Sequence, residues 1–222
     1  MNKSSWLDDL SDLQKEQFSR YYDLLVEWNE KINLTTITER DDVYLKHFYD
    51  SVLLNELFPL SGTFCDVGTG AGFPGIPLKI VNPDLQVFLM EPIKKRCNFL
   101  EEVIRELGLT GITVLNVRAE EYKEQRFDFT AARAVASLNI LAELCLPLTK
   151  VNGHFLAMKA SKAHEELEEA RQAINILGGT VNDIKEITLG ENMSRVIIDV
   201  QKTKSTPSGY PRRYAQIKKK PL

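Results

Sequence analysis

The run Asp66-Val67-Gly68-Thr69-Gly70-Ala71-Gly72-Phe73-Pro74-Gly75 decides how this chain of 222 residues folds. It follows Thr63-Phe64-Cys65 and precedes an apolar stretch that Asn82-Pro83 ends. A strand therefore runs into a glycine loop and out into a helix, with Pro74 near the helix start. A tight connection needs one glycine, and here four fall within eight residues. Glycines at such a turn let a ligand approach the main chain. That ligand sits outside the carboxyl ends of the strands, at a topological switch point.

Outward from the loop, strands are predicted at 85–90, 112–115, 127–132 and 153–158. Helices are predicted at 92–107, in a turn around Glu120, at 138–146 and at 162–177. Alternation of this kind implies βαβ units and a mostly parallel sheet. The last two strands, 181–189 and 194–200, are separated by about four residues, too few for a parallel crossover. They form an antiparallel hairpin at the sheet edge. Before the loop, Leu13, Phe18, Tyr21, Leu24, Leu25 and Trp28 recur at helical spacing, with Ser11 or Asp12 as cap. A second helix is predicted at 42–57. The organisation expected is a helical extension at 1–60, a nucleotide-fold domain at 61–202 and a basic tail at 203–222.

Hydrophobic residues make up 43% and charged residues 27%, values of a globular chain able to bury its own core. No run of eighteen apolar residues exists, so no membrane helix is expected. The first ten residues carry Asp8 and Asp9 and no apolar core, unlike a secretory signal. Cys65, Cys97 and Cys145 are odd in number and widely spaced, which argues against a disulfide framework or a metal knuckle. A reducing cytoplasm and no metal are the expectations. Net charge is −3, but residues 200–222 hold seven basic residues and no acid, leaving 21 basic against 31 acidic on the rest. An acidic body with a basic tail fits contact with a polyanion; a solvated tail is the competing reading.

Two nucleotide readings of the loop compete. Gly70-x-Gly72-x-x-Gly75 matches the dinucleotide pattern, with Glu91 about twenty residues on. Asp66-x-Gly68-x-Gly70-x-Gly72 matches the S-adenosylmethionine pattern. In both, Glu91 accepts the ribose hydroxyls. The methyl donor is favoured because Asp66 is placed where a carboxylate would meet the donor's positively charged methionine end. The terminal hairpin suits the seven-stranded methyltransferase sheet, and no second nucleotide half follows. A P-loop is excluded, since no Gly-Lys-Ser/Thr closes the run.

The type of transfer is narrowed by what is missing. No cysteine follows a proline, as cytosine-C5 transfer usually requires, and Ala131-Ala132-Arg133-Ala134-Val135-Ala136 holds no Asn/Asp-Pro-Pro-aromatic loop for amine transfer. No nucleophile or base is evident. Guanine N7 carries an exposed lone pair and accepts a methyl without losing a proton. Positioning alone then suffices, and can be worth roughly 7–11 kcal/mol at best. Arg133 is a candidate to orient substrate or meet the donor, against a plain ion pair.

The chain resembles the bacterial small-subunit ribosomal RNA guanine-N7 methyltransferases, also called glucose-inhibited division protein B. The resemblance rests on Leu25-x-x-Trp28-Asn29-x-x-x-Asn33-Leu34-Thr35, His47-x-x-Asp50-Ser51, the glycine run, Lys95-Arg96-x-x-Phe99-Leu100, Arg118-Ala119-Glu120, Ala132-Arg133-Ala134 and Lys220-Pro221-Leu222. It implies a class I S-adenosylmethionine-dependent fold and N7 methylation of the guanosine at position 527 in the 530 loop of 16S rRNA. It also implies that Gly68, Phe73, Ala119, Glu120 and Arg133 contact the cofactor, alongside Asp66, Gly70, Gly72 and Glu91 from the motif. Two departures are visible: Lys159-Ala160 where the family commonly has Lys-Gly, and the tail segment from Arg212 to Ile217. RNA contact is assigned to Arg212, Arg213, Lys218, Lys219 and Lys220.

Other residues have structural readings. His47 and Asp50 share a helix face and fix the extension against the sheet. Trp28 is core, His154 structural and His164 solvated. Lys94, Lys95 and Arg96 meet phosphate or form a solvated helix face. The competing functions are a dinucleotide-dependent oxidoreductase and an RNA-binding module with a vestigial nucleotide fold. The chain is expected to act as a cytoplasmic monomer on the small ribosomal subunit.

Overall fold

The computed structural model describes residues 5–133, 136–190 and 193–222. Ala134 of the Ala132-Arg133-Ala134 stretch, Val135 and the first four residues lie outside the described residues. Two helices lead in, the short α1 (Ser5–Asp8) and the long α2 (Asp12–Ile32). Ser11 caps α2 as predicted; its hydroxyl accepts the Gln14 amide while the Gln14 side chain accepts the Ser11 amide. The second predicted helix is continuous in direction but mixed in pitch. It runs through α3 (Arg40–Val43), a π-helical stretch (Tyr44–Tyr49) and α4 (Asp50–Leu57).

Seven strands follow, as β1 (Thr63–Val67), β2 (Gln86–Met90), β3 (Ile112–Leu115), β4 (Phe127–Arg133), β5 (Thr149–Lys159), β6 (Gly179–Leu189) and β7 (Met193–Lys202). Between them lie α5 (Gly75–Val81), α6 (Lys94–Glu106), α7 (Leu138–Cys145) and α8 (Ala163–Ile176), and after them α9 (Tyr214–Lys219). The sheet order is β3-β2-β1-β4-β5-β7-β6. The first five strands pair parallel, whereas β7 is antiparallel to both β5 and β6. The predicted hairpin is present, but its second strand is inserted beside β5 and its first forms the edge. Gap length fixes the hairpin's direction and says nothing of which strand lies inside.

Alternation along β1 sets the layers. Phe64 faces one hydrophobic cluster and Cys65 and Val67 the other, because successive strand side chains point to opposite faces. Phe155 and Leu156 divide in the same way on β5. The first cluster takes in Phe18, Tyr21 and Phe48 from the N-terminal helices together with Phe99 of α6. The N-terminal helices therefore complete the main core. The second cluster holds α7, α8 and Ile217 of α9, so the basic tail is folded against the body.

Strand order reverses between β1 and β4. The crevice outside their carboxyl ends is where an open α/β sheet binds its ligand. Gly68 follows β1 there and Arg133 closes β4.

Candidate functional site

Past β1 the backbone turns through Gly68, Gly70 and Gly72 at φ of 71°, 61° and 98°. A Cβ on Gly72 would lie 2.5 Å from Ile76 Cδ1 and 2.6 Å from the Tyr21 hydroxyl, so only glycine admits this approach of α2. The Tyr21 hydroxyl donates to the Ala71 carbonyl, tying the N-terminal helices to the loop from below. A Cβ on Gly70 would have only the Gly68 carbonyl oxygen near it, 4.0 Å away. The space above that glycine is open to a ligand.

Two carboxylates hold the loop. Asp66 is fully buried, and its Oδ2 accepts the Thr69 hydroxyl at 2.6 Å and the Gly75 amide at 2.8 Å. Its Oδ1 has no partner among the described residues. Asp66 thus braces the loop from behind, on the face that Phe64 shares, and not from the cavity wall in front, because strand alternation turns its side chain toward the core. Glu91, after β2, accepts the Gly70 amide on Oε2 at 3.1 Å and the Ile93 amide on Oε1 at 2.9 Å. A carboxylate has about four lone-pair sites, so acceptor capacity remains toward the cleft.

Two cavities meet at Gly68 and Pro92. The larger, about 400 Å³, is walled by Thr35, His47, Gly70, Phe73, Glu91 and Arg133 among others. The smaller, about 150 Å³, is walled by Met90, Val117, Ala119, Glu120 and Tyr214. A flat apolar base suits the smaller, a ribose diol suits Glu91 at the junction, and a polar amino-acid end suits the larger. The glycine cradle, the carboxylate and the apolar slot therefore fit a nucleoside carrying a charged tail. The structure brings Gly68, Gly70, Phe73, Ala119, Glu120, Glu91 and Arg133 to one cleft; Asp66 and Gly72 support it from beneath. The sequence reading missed Tyr214, which belongs to the tail and reaches the smaller cavity with Arg118 5.8 Å over its ring.

Arg133 is not a surface ion pair. Its side chain is 14% exposed, and Nη1 lies 3.0 Å from Asp50 Oδ2. Asp50, 1% exposed, also accepts Arg195 Nε from β7 on Oδ1 at 2.8 Å. The His47-x-x-Asp50 pair thus fixes the helical segment to β4 and β7, as its shared face predicts. Phe73 carries the Arg133 guanidinium 4.9 Å over its ring and stacks on His47 at 4.7 Å. Burial and the facing Arg133 push the His47 imidazole down to about 4, so it is neutral at physiological pH. Trp28 packs against Phe99, His154 bonds Asp199 at 2.8 Å, and His164 meets the exposed Glu186. Arg96 stands 3.7 Å from Glu91, and Lys94 3.8 Å from Glu101. Among the described residues no cluster of His, Cys, Asp or Glu could hold a metal ion.

In the tail, Arg213, Lys218, Lys219 and Lys220 are exposed. Arg212 is turned inward: Nε and Nη2 reach the fully buried Glu143 at 2.8 and 2.5 Å, and Nη1 donates to the Lys220 carbonyl at 3.1 Å. A buried carboxylate thus already takes its guanidinium, which weighs against the assignment of Arg212 to RNA contact. Sequence distance hides this pairing, since 69 positions separate the partners.

Two opposing titrations meet at the cleft, one in Asp66 beneath the loop and one in His47 of the helical segment. Burial, against the Thr69 and Gly75 hydrogen bonds, raises Asp66 from 3.8 to about 6. Between those values the native state binds more protons than the unfolded chain, so stability falls as pH rises. His47 shifts from 6.5 to about 4; there the unfolded chain binds more protons, and stability rises with pH. Replacing Asp66 with Asn removes the falling limb. The difference in unfolding free energy, variant minus wild type, is expected to grow from pH 4 to pH 6. Its growth across that window is on the order of 2 kcal/mol at 1.36 kcal/mol per unit, read by urea titration at each pH. A difference constant across that window would show that Asp66 does not titrate there.

Comparison with known proteins places the chain. Residues 14–196 match the family described as "GidB: rRNA small subunit methyltransferase G". The ribosomal RNA small subunit methyltransferase G of Lactobacillus johnsonii is 47% identical, covering 96% of this chain and 94% of that protein. The protein of the same name from Geobacillus thermodenitrificans is 51% identical, covering 96% and 93%. Among solved structures, TYW2 of P. horikoshii in complex with MeSAdo is similar at TM-score 0.59, 15% identity, over 71% of this chain and 63% of that one. A SAM-dependent methyltransferase from Aquifex aeolicus is similar at TM-score 0.54, 21% identity, over 71% and 92%. These likenesses fit the seven-stranded, mostly parallel sheet with its antiparallel end.

Proposed function

The chain belongs to the rRNA small subunit methyltransferase G family, and we propose that it transfers the methyl of S-adenosylmethionine to N7 of a guanosine in 16S rRNA, at nucleotide position 527. When bound, S-adenosylmethionine supplies an electrophilic methyl on a positively charged sulfur. Gly68 and Gly70 offer main chain to it, Glu91 its ribose acceptor, and Met90, Ala119, Glu120 and Tyr214 the slot for its base. Guanine N7 would take that methyl on its own lone pair while the electrons of the carbon–sulfur bond stay with sulfur, so no residue of this chain has to hold or move a proton.

The observation that carries this reading is the state of the titratable groups at the mouth of the cleft. Both oxygens of Asp50 are taken by arginines. His47 is neutral, with its nitrogens beside the Thr35 hydroxyl, the Lys46 carbonyl and Arg133, and a pKa near 4 makes it a weak base. An acceptor with its own lone pair suits such a site, and catalysis then rests on positioning. In this reading the chain works as a cytoplasmic monomer, and Arg213, Lys218, Lys219 and Lys220 meet RNA phosphate. No helix among the described residues is long and apolar enough to cross a membrane.

The test is transfer of labelled methyl to small subunits and to protein-free 16S rRNA, followed by borohydride reduction and aniline scission, which cleaves at N7-methylguanosine. Scission at one guanosine is the expected result. Label that resists scission would place the methyl elsewhere and overturn the assignment.

A further inference from the structure

A third cavity, about 500 Å³, opens beside the donor cleft and shares His47 and Arg133 with it. It is bounded by the helical segment at Lys46, by the end of β5 at Lys159 and Ala160, and by Arg195 of β7. Four cations line it, Lys46, Arg133, Lys159 and Arg195, against two carboxylates, Asp50 and Glu166. His47 adds no charge at neutral pH. The cavity is thus cationic within a body that is acidic outside the tail.

The cations are held in place yet keep donors free. Lys159 is 8% exposed, and its Nζ lies 2.7 Å from Glu166 and 2.6 Å from the Ala136 carbonyl. An ammonium has three N–H groups, so one remains. Arg195 uses Nε on Asp50 and Nη1 on the Ser194 carbonyl, and Nη2 has no partner among the described residues. Met158 and Ile37 supply an apolar side. Fixed cations beside an apolar wall match the two halves of a nucleotide, its phosphate and its base.

Resting on the methyl-transfer reading above, we propose that this cavity seats the acceptor nucleotide, swung out of the RNA, with its 5′-phosphate on Lys159 and Arg195. Its base then faces the donor cleft past the Arg133–His47 partition. A target base must leave its stack to reach a buried reactive group, and this cavity is where the extruded base arrives. Ala160 stands exposed at the mouth. The departure from Lys-Gly thus puts one methyl group at the entrance without filling it.

Two variants and one pair of assays test this. Ala160→Trp fills the mouth from an exposed position. It is expected to cut single-turnover methyl transfer to 16S rRNA more than a hundredfold while S-adenosylhomocysteine affinity, by calorimetry, stays within twofold. Lys159→Met is expected to raise KM for rRNA about tenfold, the worth of one charge-assisted hydrogen bond, again with S-adenosylhomocysteine affinity kept. Near-wild-type transfer by Ala160→Trp, an unchanged KM in Lys159→Met, or loss of S-adenosylhomocysteine binding by either variant overturns the assignment. Failure of the wild-type protein to label guanine N7 sinks the proposed function instead, so the two failures are distinguishable.

Discussion

Replacement of Glu91 by alanine is expected to weaken S-adenosylhomocysteine binding by about a hundredfold or more, the largest functional loss from any single side chain of the donor cleft. The side chain acts twice. It accepts the amides of Gly70 and Ile93, which fixes the loop, and in the proposed reading its remaining lone pairs take the ribose hydroxyls. Two charge-assisted hydrogen bonds at roughly 1.5–3 kcal/mol each come to at least about 3 kcal/mol, beyond a hundredfold in affinity. Glu91→Gln separates the two roles. An amide oxygen still accepts from Gly70, so the loop holds, while the charge and one acceptor are lost; about tenfold weakening is expected. Calorimetric titration of both variants is the measurement. Binding by Glu91→Ala within threefold of wild type would mean that the diol is held elsewhere.

The local order of the chain was legible because it depends on short-range chemistry. Ser11 and Gln14 announce the start of α2, and the glycine run announces the turn after β1. The gap of a few residues after position 189 fixes antiparallel pairing. Whatever depends on which distant segments meet was not legible. Insertion of β7 between β5 and β6 follows from burial of Val196, Ile198 and Val200, which no spacing rule reads. Asp66 marks the loop correctly by its position, yet its carboxylate faces the core, because strand alternation outranks the motif's outline. Tyr214 joins the donor cleft only because Ile217 anchors α9 in the core on the α7–α8 side of the sheet. The tail shows the same limit most plainly. Its run of basic residues reads as one patch, but the fold divides it into side chains facing water and one arginine facing inward.

That division gives the largest expected effect on stability. Arg212→Ala is expected to destabilise the protein by about 3–5 kcal/mol, the usual loss when one partner of a buried ion pair is removed. Glu143 is wholly buried, and Arg212 meets it with both Nε and Nη2 and also with its main-chain amide. Without the guanidinium the buried carboxylate loses its charged partner and the hydrogen bonds that compensated its burial. For a chain of this size that is a fall in Tm of roughly 10 °C, read by scanning calorimetry. The double change Arg212→Met with Glu143→Met removes both charges and is expected to recover most of the loss, since apolar residues of similar volume commonly replace such pairs without penalty. Because the arginine also ties α9 to α7, the single variant is expected to weaken S-adenosylhomocysteine binding through Tyr214, which α9 carries into the smaller cavity. The charge pattern of the tail makes the opposite forecast. If Arg212 serves RNA, its loss leaves Tm and S-adenosylhomocysteine affinity unchanged and lowers only the salt-dependent binding of rRNA. The two forecasts differ in Tm and in S-adenosylhomocysteine affinity, and a melting curve of one variant decides between them.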